Sequence, residues 1–98
     1  MSFFLSFTPT AKKSLKELKE SAHLEKRFKA VSKALKYLAE NPRHPSLQTH
    51  QYSSLYGSEG EKVFEAYAEQ DTPAAYRIFF YYGKARGEIV VFAITPHP

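Results

Sequence analysis

Residues 3–7, Phe-Phe-Leu-Ser-Phe, form an apolar run of strand length. Thr8-Pro9 directly after it reads as a helix start, with the threonine as cap and the proline at the first helical position. Ala11, Leu15, Leu18 and Ala22 then recur at helical spacing, while Lys12, Lys13, Lys16 and Lys19 take the opposite face. A second apolar series, Leu24, Phe28, Val31, Leu35 and Leu38, advances in steps of four and three. It is out of phase with the first, so a helix boundary falls near residues 21–23. The two helices are expected to form a hairpin and to bury their stripes together. Asn41-Pro42 ends the second helix, because a residue before proline is driven out of the α region.

From Arg43 to Gln51 the chain reads as a polar loop. Segments of strand character follow at 51–55, 62–70, 75–82 and 88–95, parted by turns at 57–60, 71–73 and 83–87. Short strands joined by short turns imply antiparallel neighbours. Helices first and strands after them are the α+β pattern. The expected fold is an N-terminal strand, a two-helix hairpin and three to four antiparallel strands, in one domain spanning residues 1–98.

Side-chain alternation assigns the faces of that sheet. In the 62–70 strand, Phe64, Ala66 and Ala68 share the better core face, leaving Val63, Glu65, Tyr67 and Glu69 on the other. A loop at 71–73 places Phe64 opposite Phe80 and Tyr67 opposite Arg77. Ile78 and Phe80 then face the core. Arg77, Phe79 and Tyr81 join Tyr67 on the open face, with Glu65 and Glu69 diagonal to Arg77. A polar and aromatic second face is expected to serve as a binding surface.

Composition narrows the classes. Hydrophobic residues make up 43% of the 98, including eight Phe and seven Tyr, enough for one modest core. No cysteine is present, which excludes a disulfide framework, a cysteine zinc site and a thiol nucleophile, and fits a reducing cytoplasm. The opening apolar run is too short for a signal sequence, and no segment approaches the ~20 apolar residues that span a bilayer. A cytoplasmic protein without a membrane partner is expected. The net charge of +4 favours an anionic partner. The spacing His44-x5-His50 matches no metal-ligand pattern, and no glycine-rich phosphate loop or nucleophile elbow occurs, so neither a metal nor a small-molecule cofactor is expected.

The element order, the segment Ala75-Tyr76-Arg77-Ile78-Phe79-Phe80-Tyr81 and the ending Ile89–Pro98 resemble the toxins of the RelE/ParE superfamily of type II toxin–antitoxin systems. The resemblance implies a cognate antitoxin as partner. In its ribonuclease branch it implies ribosome-dependent cleavage of mRNA, with Arg77 on the scissile phosphate and His97 in the C-terminal tail as general acid. The branch's general base is a glutamate in the proline-containing loop after the second helix, where this chain has His44. RelE itself carries basic residues where this chain has Glu65, Tyr67 and Glu69. ParE-like members share the fold, act on DNA gyrase and need no nuclease residues.

The residues suit RNA chemistry. Cleavage through the 2′-OH needs a base, an acid and a cation on the phosphate. Histidine serves the proton steps and arginine the phosphate. His44, His50, His97 and Arg77 are the loop, tail and strand residues that supply this set. Tyr67, Phe79 and Tyr81 can stack on bases, and Lys12 and Lys16 can form part of a ribosomal RNA footprint. Each has a plainer reading as an ion pair, a sheet-packing aromatic or a solvated helix face. The carboxylates on the open face repel phosphate and favour the alternative, a non-nuclease binding protein that poisons gyrase or only pairs with an antitoxin.

Overall fold

The computed structural model describes residues 2–96. Strand β1 (Phe4–Phe7) leads into helix α1 (Pro9–Glu20), and helix α2 (Glu25–Glu40) follows after a single 3-10 turn at Ala22–Leu24. A second 3-10 turn, Pro45–Leu47, precedes β2 (His50–Tyr56), β3 (Lys62–Tyr67), β4 (Tyr76–Tyr82) and β5 (Glu88–Pro96). The five strands form one sheet in the order β1-β5-β4-β3-β2. Every pairing is antiparallel except β1 with β5, which is parallel. The fold is α+β, as the segregation of helical and strand periodicity implies.

The helix boundaries follow local chemistry. The Thr8 hydroxyl accepts a hydrogen bond from Ala11 N at 3.2 Å, and Pro9 occupies the first turn. The same hydroxyl donates to the Phe92 carbonyl at 3.2 Å, fixing the start of α1 to β5. Ser21 adopts an extended conformation between the helices, where the two apolar series change phase. α2 ends at Glu40, and the Asn41 side chain accepts from Arg43 N at 3.0 Å as the chain turns away.

The hydrophobic core lies between the helices and one face of the sheet. α1 rests on β5 and α2 on β4. Ala11, Leu18, Val31, Leu38, Ile78 and Phe80 are buried there, among others. The β3–β4 register is the expected one, with Phe64 opposite Phe80 and Tyr67 opposite Arg77. Two local departures matter. The segment after α2 is not wholly polar loop, because Leu47 is buried and joins the core. The β3 ladder also ends at Tyr67, not at residue 70. Ala68 N and Glu69 N both donate to the Tyr76 carbonyl, at 3.0 and 3.3 Å. Two amides on one carbonyl are a β-bulge, which breaks the alternation of faces.

Phe80 is fully buried at the centre of the sheet. Phe80→Ala is expected to cost about 3–5 kcal/mol of stability, and Lys16→Ala on the solvated face of α1 less than about 0.5 kcal/mol. Urea denaturation of both variants checks the difference.

Candidate functional site

β4 carries Arg77 onto the face of the sheet away from the helices, and β3 places Tyr67 directly across from it. The guanidinium lies over the Tyr67 ring, 4.5 Å from its centroid, in a cation–π contact. Arg77 Nη1 donates to Glu65 Oε2 at 2.7 Å. The other Glu65 oxygen, Oε1, is 2.8 Å from His50 Nε2. His50 stands opposite Glu65 in the β2–β3 ladder, and its Nδ1 lies 3.0 Å from the Gln48 carbonyl. Three strands thus bring Arg77, Glu65, Tyr67 and His50 into one chain of contacts.

The electrostatics follow from burial. Glu65 is only 3% exposed, Arg77 20% and His50 47%. A carboxylate so enclosed needs cationic or hydrogen-bonding partners, and both of its oxygens have one. The pair is therefore not the loose surface ion pair that open-face geometry alone suggests. Both ring nitrogens of His50 face oxygens, Nε2 the Glu65 carboxylate and Nδ1 the Gln48 carbonyl. Arg77 meets Glu65 through one nitrogen, end-on. Its Nε is buried without a hydrogen-bond partner among the described residues.

Beside Arg77 opens a cavity of about 610 Å³, lined by Gln48, Tyr67, Glu69, Gln70, Arg77 and the 71–75 loop. Two clasps hold its rim. Gln48 Nε2 donates to Gln70 Oε1 at 2.9 Å, and Gln70 Nε2 donates to the Ser46 carbonyl at 2.9 Å, which ties the loop after α2 to the β3–β4 loop. From α2, Arg27 donates through Nη1 to the Ala74 carbonyl and through Nη2 to the Pro73 carbonyl, each at 3.0 Å. Asp71 and Ala74 in this loop adopt positive φ of 56° and 54°, conformations that such outside contacts help to hold.

The sequence-derived candidates are distributed unevenly. Arg77 and Tyr67 are together as expected. Phe79 and Tyr81 are on the same face but are packed, with Phe79 meeting Tyr52 edge to face at 5.1 Å and both rings approaching Phe92. Val63, on this face too, is fully buried, so this part of the sheet is a small apolar layer. His44 is elsewhere. Its ring stacks on Tyr37 of α2 at 3.9 Å, and its Nδ1 accepts from Ser46 N at 3.1 Å. Lys12 and Lys16 are exposed on α1, in the layer that covers the opposite face of the sheet. His97 lies outside the described residues. Glu69 corrects the expected pairing: the bulge turns it away from Arg77, so that its Oε1 accepts from Tyr76 N at 3.0 Å and lies 3.9 Å from Arg27 Nε. The 2.8 Å contact from His50 to Glu65, the Gln48–Gln70 clasp and the Arg27 clamp were not anticipated, since none leaves a periodic trace in the sequence. Among the described residues no cluster of three His, Asp or Glu side chains is grouped as a metal site.

Two solved structures share this architecture. The YoeB dimer from Staphylococcus aureus matches with a TM-score of 0.68 over 100% of both chains, at 13% identity. The archaeal RelE–RelB complex from Pyrococcus horikoshii OT3 matches with a TM-score of 0.64 over 98% of this chain and 96% of that one, at 15% identity. This chain has the RelE/YoeB fold. By sequence, no protein-family model and no curated protein matches it. Full coverage in both directions means that strand β1, the helical hairpin and the sheet all correspond, so the architecture expected from the RelE/ParE resemblance is the observed one.

Removing the α2 clamp tests how the cavity rim is held. Arg27→Ala deletes two hydrogen bonds to the 71–75 loop and should cost about 1–3 kcal/mol. Hydrogen exchange should accelerate at Ala75 and its loop neighbours, with the β4–β5 amides unchanged.

Proposed function

We propose that this chain is the toxin of a type II toxin–antitoxin pair, acting in the cytoplasm as a ribosome-dependent mRNA endoribonuclease. The observation that carries the reading is Arg77, presented on the open face of a RelE/YoeB fold at the edge of a cavity large enough for a nucleotide. Arg77 Nη2 carries no hydrogen bond among the described residues and suits a phosphate oxygen, and the Tyr67 ring and the Gln48 and Gln70 amides beside it suit a ribonucleotide's base and sugar. The net charge of +4 supports an RNA-rich target.

In this reading Arg77 stabilises the charge that develops on the scissile phosphate as the 2′-oxygen attacks. His97 is the proposed acid for the leaving 5′-oxygen. β5 supports the assignment by ending with Pro96 opposite Tyr76, next to Arg77 on β4. His44, stacked on Tyr37, is poorly disposed to act as base beside Arg77, and this role passes to a group supplied at the cavity by the chain or the ribosome. The partner that holds the toxin inactive is a cognate antitoxin; the RelE–RelB complex supports such an assembly. The pairing of Arg77 with Glu65 favours one second reading, a non-nuclease toxin that binds gyrase, whose mark is inhibited DNA supercoiling with intact mRNA.

Induction of the chain alone in a bacterial host is expected to arrest growth and translation, and co-expression of its antitoxin to relieve the arrest. Arg77→Lys keeps the charge but loses the fork, and should lower the rate of mRNA cleavage by about 10²–10³-fold with the circular dichroism spectrum unchanged. Normal growth under full induction of the wild-type chain contradicts the toxin reading.

A further inference from the structure

The contacts from Gln48 through His50 and Glu65 to Arg77 have a consequence for the charge available to a ligand. Glu65 lies beneath the surface, whereas Arg77 reaches the cavity. An unshared carboxylate in that position turns both oxygens onto the guanidinium and largely cancels it, since a bidentate pair is the preferred geometry of arginine and carboxylate. Here Glu65 Oε1 is engaged by His50 at 2.8 Å, and Arg77 receives only Oε2, through one nitrogen. The contact with His50 occupies Oε1, so that oxygen is not turned onto the guanidinium and Arg77 is neutralised through a single carboxylate oxygen.

We propose that His50 and Glu65 are a positioning pair: His50 holds Glu65 in an end-on contact on Nη1 so that Arg77 Nη2 stays available for an RNA phosphate. The inference rests on Arg77 as the phosphate ligand and adds the residues that set its strength. Glu65 fixes the orientation of the guanidinium over Tyr67, and His50 limits how much of its charge Glu65 withdraws. His50 is not placed as the general base, because neither of its nitrogens is free: Nε2 is on Glu65 and Nδ1 on the Gln48 carbonyl. The Gln48 carbonyl in turn ties the pair to the cavity rim, where the Gln48 side chain meets Gln70.

The pair makes a non-additive prediction. Binding of a 5′-labelled, 2′-O-methylated single-stranded RNA hexanucleotide, which cannot be cleaved through its 2′-oxygens, is measured by fluorescence polarisation at low salt. His50→Ala frees Glu65 to close on Arg77 and should weaken binding about tenfold, the scale of one lost charge interaction near a protein surface. Glu65→Gln removes the competing charge and should tighten binding. In the Glu65→Gln background, His50→Ala should change affinity by less than about twofold, since the carboxylate that His50 holds off Arg77 is gone. An equal loss in both backgrounds means that His50 touches the RNA itself, and no loss in either means that it has no role; each result overturns the proposal. Should Glu65→Gln fail to fold, His50→Lys replaces it: a hydrogen-bond donor kept beside Glu65 should keep affinity within about threefold of wild type, and a loss equal to that of alanine overturns the proposal. Growth arrest reads the proposed function separately, so arrest without coupling removes only the pair, and coupling without arrest removes only the function.

Discussion

Glu65 sits in the middle of the sheet with almost no contact with water, and its carboxylate must be paired on both oxygens to be tolerated there. That requirement links three strands. β4 supplies Arg77, β3 supplies Glu65 itself, and the edge strand β2 supplies His50. Each partner depends on register, because a shift of one residue in either pairing would send its side chain to the helix-packed face. The apolar core on the other face enforces that register: Ala66, Ile78 and Phe80 can be buried under α1 and α2 only if Glu65, Tyr67 and Arg77 face away. Hydrophobic burial thus determines where the charges stand, and the charges determine what the open face can bind.

The division of labour between the two faces follows. The helical layer supplies stability and, through Arg27, a clamp on the loop beside the cavity. The open face is aromatic where Phe79 meets Tyr52 and Phe92, and it carries charge at Arg77 and Glu65. In the proposed reading, such a localised charge beside an aromatic layer suits one phosphate and its neighbours more than an extended electrostatic track.

Much of the architecture was legible in the chain because its signals are local. Thr8-Pro9 caps one helix, the phase change between Ala22 and Leu24 separates it from the next, and Asn41-Pro42 ends the second. The β3–β4 register was readable because a short loop constrains it and only one alternation puts Phe64, Ala66, Ile78 and Phe80 together. The rest depends on contacts distant in sequence. The bulge at Ala68–Glu69 redirects Glu69 toward α2 although plain alternation assigns it to the open face. Leu47 sits alone among polar residues and has no periodic partner to mark it as core. His50 and His44 cannot be told apart by composition, yet one meets Glu65 because β2 pairs with β3 there, and the other stacks on Tyr37 because a 3-10 turn folds it back on α2.

The central claim is that the open face around Arg77 is the working surface and the helix layer its scaffold. Chemical-shift mapping tests this most directly, by titrating a single-stranded RNA into isotope-labelled protein and following backbone amides together with the arginine side chains. The expected perturbations fall on Arg77, Tyr67, Gln48 and the 71–75 loop. Perturbations centred on Lys12 and Lys16 of α1, with Arg77 unchanged, would contradict the account.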